Sequence, residues 1–304
     1  LKPWDSVLTY AQNGEEPYGH YAIKAVGSTQ FTVKFSRFLP DKTLDLAYSV
    51  RVKPFDYGEG TADDPFIIYD TDELAKFRDY LKSGFDTALQ YYKIGSLEAG
   101  HPAITLDLSV FEDWEPIINL AGHVDGNGSV LRHITCKQGY RKYDDSGLKV
   151  TETYYGFLGS TTDTGEVRDL TLDDVSIDTQ NTYNVRAGAF IGLSAGGSYT
   201  NITATNVTIQ TGGASSPNVG GLVGLVLMDP GRNFTLNQGL AVSAITGTGA
   251  GGRCGGLIGN NEGADATIVV TDSASYGTVD GYTSLGGIAG RVNGPTLTID
   301  RCVS

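Results

Sequence analysis

Cysteine, histidine and cationic residues are all scarce in this chain, and each shortage removes a class of function. The three cysteines, Cys136, Cys254 and Cys302, lie 118 and 48 residues apart with no C-x-x-C pair. That spacing argues against a zinc knuckle, a redox pair or a disulfide framework, and all three are expected to be buried small hydrophobes. The four histidines, His20, His101, His123 and His133, are followed by Tyr, Pro, Val and Ile, so H-E-x-x-H metallopeptidase chemistry is absent. No stretch of apolar residues is long enough for a helical membrane span. Lys and Arg number 22 against 35 Asp and Glu, a net charge of −13 that repels phosphate backbones and excludes nucleic acid as a partner.

What the chain has in excess is glycine, unevenly placed. Of 41 Gly, 28 fall in residues 151–304, a region with six Arg, no Lys and 13 acidic residues. All 11 Lys fall in the first 150 residues. The second half is rich in Gly, Thr, Val, Ile and Asn, which favour strands and tight turns over helix.

An internal repeat organises that half. Five short motifs line up: Tyr155 to Gly159 with Gly156, Gly188 to Gly192, Gly220-Gly221 to Gly224, Gly255-Gly256 to Gly259, and Gly286-Gly287 to Gly290. Their last glycines are 33, 32, 35 and 31 residues apart. An alternating β-branched run follows each one: Val167–Ile177, Tyr199–Ile209, Phe234–Ile245, Ala266–Val279 and Pro295–Ser304. A period of this length without helical periodicity predicts a β-solenoid. The glycines bracket apolar pairs such as Leu222-Val223 and permit either positive φ or close backbone approach at the corners. One coil leaves both edges unpaired, whereas coils stacked about 4.8 Å apart satisfy them and bury the inner face.

These motifs resemble the GLUG repeats of bacterial surface and secreted proteins. The resemblance extends upstream through Gly60-Thr-Ala-Asp-Asp-Pro-Phe-Ile-Ile68, Asp72-Glu-Leu74, Trp114-Glu-Pro-Ile117 and Asp125-Gly-Asn-Gly128, and covers roughly residues 58–304. It implies an all-β fold, a right-handed parallel β-helix, and an adhesin-like role at an extracellular or bacterial cell-surface location.

The chain then divides into three parts. Residues 58–150 form a lead-in segment to the β-helix, with a capping helix over 70–82. Asp70-Thr-Asp-Glu73 has capping-box spacing, and Leu74, Phe77, Tyr80 and Leu81 make one apolar face. Residues 151–304 are the repeats, and the last run stops inside a unit, so the natural protein is expected to continue past Ser304. Residues 1–57 alternate over Tyr21–Ala25, Phe31–Phe35 and Leu44–Val52, with Gly27-Ser28 turning between the first two. Three strands are too few for an independent core. This antiparallel leader is either packed on the solenoid or the tail of an upstream sandwich domain.

The candidate ligand-binding residues lie in the insertion Lys137–Tyr155. Tyr140, Tyr143 and Tyr154 sit there beside Asp144 and Asp145, an amphipathic set suited to surface glycans or proteins; the plainer reading is a hairpin that packs its tyrosines on the solenoid flank. Asp173-Asp174 imitates the carboxylate pair of an inverting glycosidase but lacks the companion motifs of β-helix hydrolases. The repeat arginines Arg168, Arg186, Arg232, Arg253, Arg291 and Arg301 are read as sharing no offset, so no cationic cluster for a uronate is expected. Asp125-Gly-Asn-Gly-Ser129 fails the calcium-loop pattern at Val130 and Lys137. No metal, cofactor or catalytic constellation is expected, and the function predicted is non-catalytic, a stalk or binding surface; the alternative is a carbohydrate-active β-helix protein.

Overall fold

The computed structural model describes residues 5–9, 20–24, 30–39, 42–51, 54–179, 184–213, 216–247, 251–281 and 283–304. It divides into two compact units, Leu1–Asp56 and Tyr57–Ser304. In the first, Asp5–Thr9 pairs antiparallel with His20–Lys24, and Gln30–Leu39 pairs antiparallel with Lys42–Arg51. This differs from the sequence expectation in one respect. The strand at 20–24 takes its partner from the preceding segment Asp5–Thr9 rather than from the following one, and Gly27-Ser28 lies outside the described residues.

The second unit is a parallel β-solenoid of about six turns. Its three sheets are built by stacking corresponding strands of successive coils. The long sheet contains His123–Cys136, Glu166–Thr179, Gly197–Thr211 and Asn233–Gly247 in parallel register, followed by Thr267–Thr271 and Thr296–Asp300. A second sheet stacks Val150–Tyr155, Val185–Gly188, Asn218–Gly220, Arg253–Gly255 and Ser284–Gly286. A third stacks Leu158–Thr161, Ile191–Ser194, Val223–Leu227, Ile258–Glu262 and Ala289–Asn293.

The repeat motif is the corner between the second and third sheets. Its apolar residues Phe157, Phe190, Leu222 and Leu257 are buried. Their amides tie successive coils together: Phe190 N donates to Leu222 O at 3.0 Å, and Leu222 N to Leu257 O at 3.0 Å. Close approach, not positive φ, is what fixes most of the motif glycines. A Cβ on Gly224 would stand 2.5 Å from Ala187 N, and one on Gly259 2.5 Å from Val219 N, because the third sheet lies backbone to backbone on the second. Gly156, at φ 141°, is the exception.

The long strands do not alternate strictly. In Glu166–Thr179 the buried positions are 167, 170, 172, 175, 177 and 179, spaced three, two, three, two, two. The extra outward residue falls each time at a left-handed residue, Asp169 (φ 55°) and Asp174 (φ 55°). The first of these positions recurs in register at Asn201, Gln238, Asp272 and Arg301, with φ between 51° and 55°. Asn and Asp tolerate this region because their short side chains bond locally. The period-two reading of these runs is therefore corrected to alternation reset at left-handed steps.

The lead-in coils carry the helix α1 (Thr71–Lys82) between Phe66–Ile68, the edge strand of the long sheet, and Tyr91–Ile94. Asp70 caps it, accepting from Glu73 N at 2.8 Å. Its buried face is Leu74, Phe77, Tyr80 and Leu81, with Phe77 packed on Tyr92 at a ring separation of 4.6 Å. Trp114 is fully buried against Phe157 (5.8 Å, 15°), and its indole N–H donates to Phe157 O at 3.0 Å, which joins the lead-in to the first repeat corner.

In the last coil, inward positions that are closed elsewhere meet solvent. Leu285 is 49% exposed and Ile299 45%, whereas their counterparts in the preceding coil, Cys254 and Val270, are both at 0%. Cys136 and Cys254 are buried as expected, but Cys302, in this uncovered coil, is only half-buried.

Candidate functional site

The insertion folds as a hairpin. Tyr140–Tyr143 pairs antiparallel with Val150–Tyr155 at the edge of the second sheet, placing Tyr154 opposite Tyr140. Residues directly opposite share a face, and the two rings stack at 6.1 Å and 24°. Tyr154 is buried, and its hydroxyl donates to Glu152 Oε2 at 2.7 Å. Burial first, and the bonded Glu152 carboxylate second, push this phenol well above its ordinary range. Glu152 also receives Arg186 from the next coil at 3.1 Å and lies 3.7 Å from Lys142 Nζ. The hairpin is thereby anchored to the solenoid flank by a compact polar cluster centred on Glu152.

The remaining sequence candidates lie at the tip. Tyr143 is 48% exposed, and Asp145 projects from the turn. Asp144 closes that turn, accepting from the Ser146 hydroxyl at 2.6 Å and from Leu148 N at 3.3 Å. The Ser146 bond, the largest influence, holds its carboxyl below the usual carboxylate range. So the structure brings Tyr140 and Tyr154 together and leaves Tyr143, Asp144 and Asp145 apart from them.

Tyr140, Lys142 and Tyr154 form one side of an open groove of about 390 Å³. The other side comes from turns that join the third sheet to the long sheet. In the first coil that turn bears Asp163, and in the third it is Asp229-Pro230-Gly231-Arg232. The second coil has only Ala195-Gly196 there, so Arg232 passes over it and forms an ion pair with Asp163, two coils away. Asp163, Asp229 and Arg232 were invisible as site residues in the sequence. The available signal was the unequal length of this connection from coil to coil, which makes two turns protrude and one recede.

A second hollow, about 430 Å³, lies on the long sheet near its first coils. Tyr91 stacks on His123 (4.3 Å, 12°), and His123 Nδ1 is 2.7 Å from Glu166 Oε2. Beside them Arg168 reaches Asp125 at 2.5 Å. These are in-register rows, Tyr91–His123–Glu166 and Lys93–Asp125–Arg168, in which side chains of neighbouring coils pair with one another. Asp125 Oδ1 also accepts from Asn127 N at 2.8 Å, a local bond at the register shift within the strand His123–Cys136.

The carboxylates Asp173 and Asp174 both point outward. Asp173 accepts from Thr205 and Asn206 of the next coil, each at 2.8 Å, and these bonds hold it below the usual carboxylate range. Asp174 lies 3.7 Å from His133 Nε2, whose Nδ1 is 2.9 Å from Asp107. One arginine expectation is corrected. Arg186 and Arg253 do share a row, aligned through Asn218 of the coil between them, and Arg253 Nη1 donates to Asn218 Oδ1 at 3.3 Å. Among the described residues, no three His, Cys, Asp or Glu side chains converge as a metal site, and no helix is long and apolar enough to cross a membrane.

No protein-family model matches the chain. It is similar to halomucin of Haloquadratum walsbyi, 25% identical over 268 residues, an alignment that covers 80% of this chain and 3% of halomucin. The chain thus spans a small fraction of that relative's length. No solved structure matches.

Proposed function

We propose that this chain is part of a surface-exposed or secreted, adhesin-like protein in which a non-catalytic β-solenoid of the GLUG type serves as stalk and binding surface. The observation that carries this reading is the solenoid itself. Its interior is filled by stacked side chains, and its long flank is lined by Asp, Asn and Thr residues that bond from coil to coil, such as Asn201 to Asp169 and Thr205 to Asp173. Contact with other molecules then falls to the flanks and projecting turns. The likeness to halomucin supports the placement at a cell surface. In the same reading the coils wind right-handedly, as parallel crossovers do, and α1 closes the first coil. Asp173, already engaged by Thr205 and Asn206, serves the ladder and not hydrolysis. The partners are surface glycans or proteins.

Protease shaving of intact source cells tests the placement. Peptides from residues 58–304 should be released from whole cells or found in the medium. Recovery only after lysis would overturn the proposal.

A further inference from the structure

Resting on that surface reading, we infer that the groove between the Tyr140 hairpin and the Asp163–Arg232 bridge is a subsite for a neutral saccharide. Three features converge on that ligand class. The first is an aromatic platform: Tyr140 is backed by the buried Tyr154, so its ring is held in place before any ligand arrives. A fixed ring offers apolar contact to the C–H face of a sugar at little entropic cost. The second is the polar rim. Ser160, Thr162, Lys142 and Asp229 all line the groove. A sugar hydroxyl both donates and accepts, so it can answer each of them. The third is charge balance. Arg232 is paired with Asp163, and Lys142 has Glu152 3.7 Å away. Asp229 forms no ion pair among the described residues. Glu152 is shared with Arg186, but Asp229 offsets Lys142 within the groove, so the four charged side chains of the lining carry no net positive charge with which to neutralise a uronate or phosphate.

The fold explains why the groove lies at this height of the stack. Its floor is Ala195-Gly196 in the second coil, recessed between two longer turns. A side chain at Gly196 would meet Asn233 O at 2.9 Å, so the floor cannot be raised without displacing the third-coil strand.

Isothermal titration of the 304-residue chain with cellohexaose, maltohexaose, mannohexaose and chitohexaose, with a galacturonate hexamer as the anionic comparison, decides the matter. At least one neutral hexasaccharide should bind, more tightly than the galacturonate. Tyr140→Ala and Asp229→Ala, on opposite sides of the groove, should each weaken that binding at least tenfold with an unchanged melting temperature, while Tyr143→Ala at the hairpin tip leaves it intact. Should Tyr140→Ala disturb the hairpin, Asp229→Ala alone carries the test. Absence of binding to every neutral sugar, a preference for the galacturonate, or binding indifferent to Asp229 would overturn the inference. None of these outcomes touches the surface proposal, which fails only in the shaving experiment.

Discussion

Asn201 sits in the left-handed region at φ 53°, in register with Asp169 at φ 55°, and donates its side-chain amide to Asp169 Oδ1 at 2.7 Å. The two residues do the same work in consecutive coils. Each resets the inward alternation of its long strand, and the bond between them locks one reset above the other.

That relationship makes Asn201 a position where backbone conformation and side-chain bonding can be separated. Asn201→Gly keeps the conformation and loses only an exposed hydrogen bond, so its cost should be small. Asn201→Val forces a β-branched residue into the left-handed region and should cost about 1–2 kcal/mol. Urea unfolding of the two variants measures the difference. Equal stability would show that the left-handed step imposes no strain.

The motif glycines should divide by mechanism. Gly224→Ala puts a methyl 2.5 Å from Ala187 N, where two backbones meet and neither can yield cheaply. Overpacking of this kind costs about 1–3 kcal/mol or more. Gly231, at φ 79°, has nothing within 4 Å of a new Cβ, so Gly231→Ala should cost only the left-handed penalty of about 1 kcal/mol. Thermal melts of the two variants give the comparison, and a Gly224→Ala protein as stable as Gly231→Ala would argue against the close-packed corner.

Burial pushes Cys136 up to about 12, Cys254 up to about 11 and Tyr199 up to about 12. The neutral form of each is the one the folded state favours. As pH rises, the unfolded chain ionises first, near the ordinary values of about 8.5 for Cys and about 10 for Tyr. Stability from these groups is therefore complete below those values and declines as pH climbs toward the folded ones. Melting temperature should fall between pH 9 and 11, and at pH 8 a chromogenic disulfide reagent should react quickly with Cys302 alone. Rapid reaction of all three thiols in the native protein would contradict the burial of Cys136 and Cys254.

The sequence by itself determined the coil. Motif spacing, the Gly-bracketed apolar pairs and the Asp70 cap are local signals, and the β-solenoid and the helix after Asp70 were legible from them. So was the hairpin, because Tyr140 and Tyr154 flank an obvious polar turn. The tertiary structure decided everything that depends on which coil lies beside which. Strand 20–24 could pair forward or backward, and local alternation does not choose a partner. The left-handed steps at Asp169, Asn201 and Gln238 were hidden because the signal at each site is one polar residue among others, and only the register aligns them. Arg186 and Arg253 form a row only across the intervening Asn218. The groove was hidden for the same reason. Asp163 and Arg232 are 69 residues apart in the chain, and they meet only because the turn of the coil between them is too short to keep them apart.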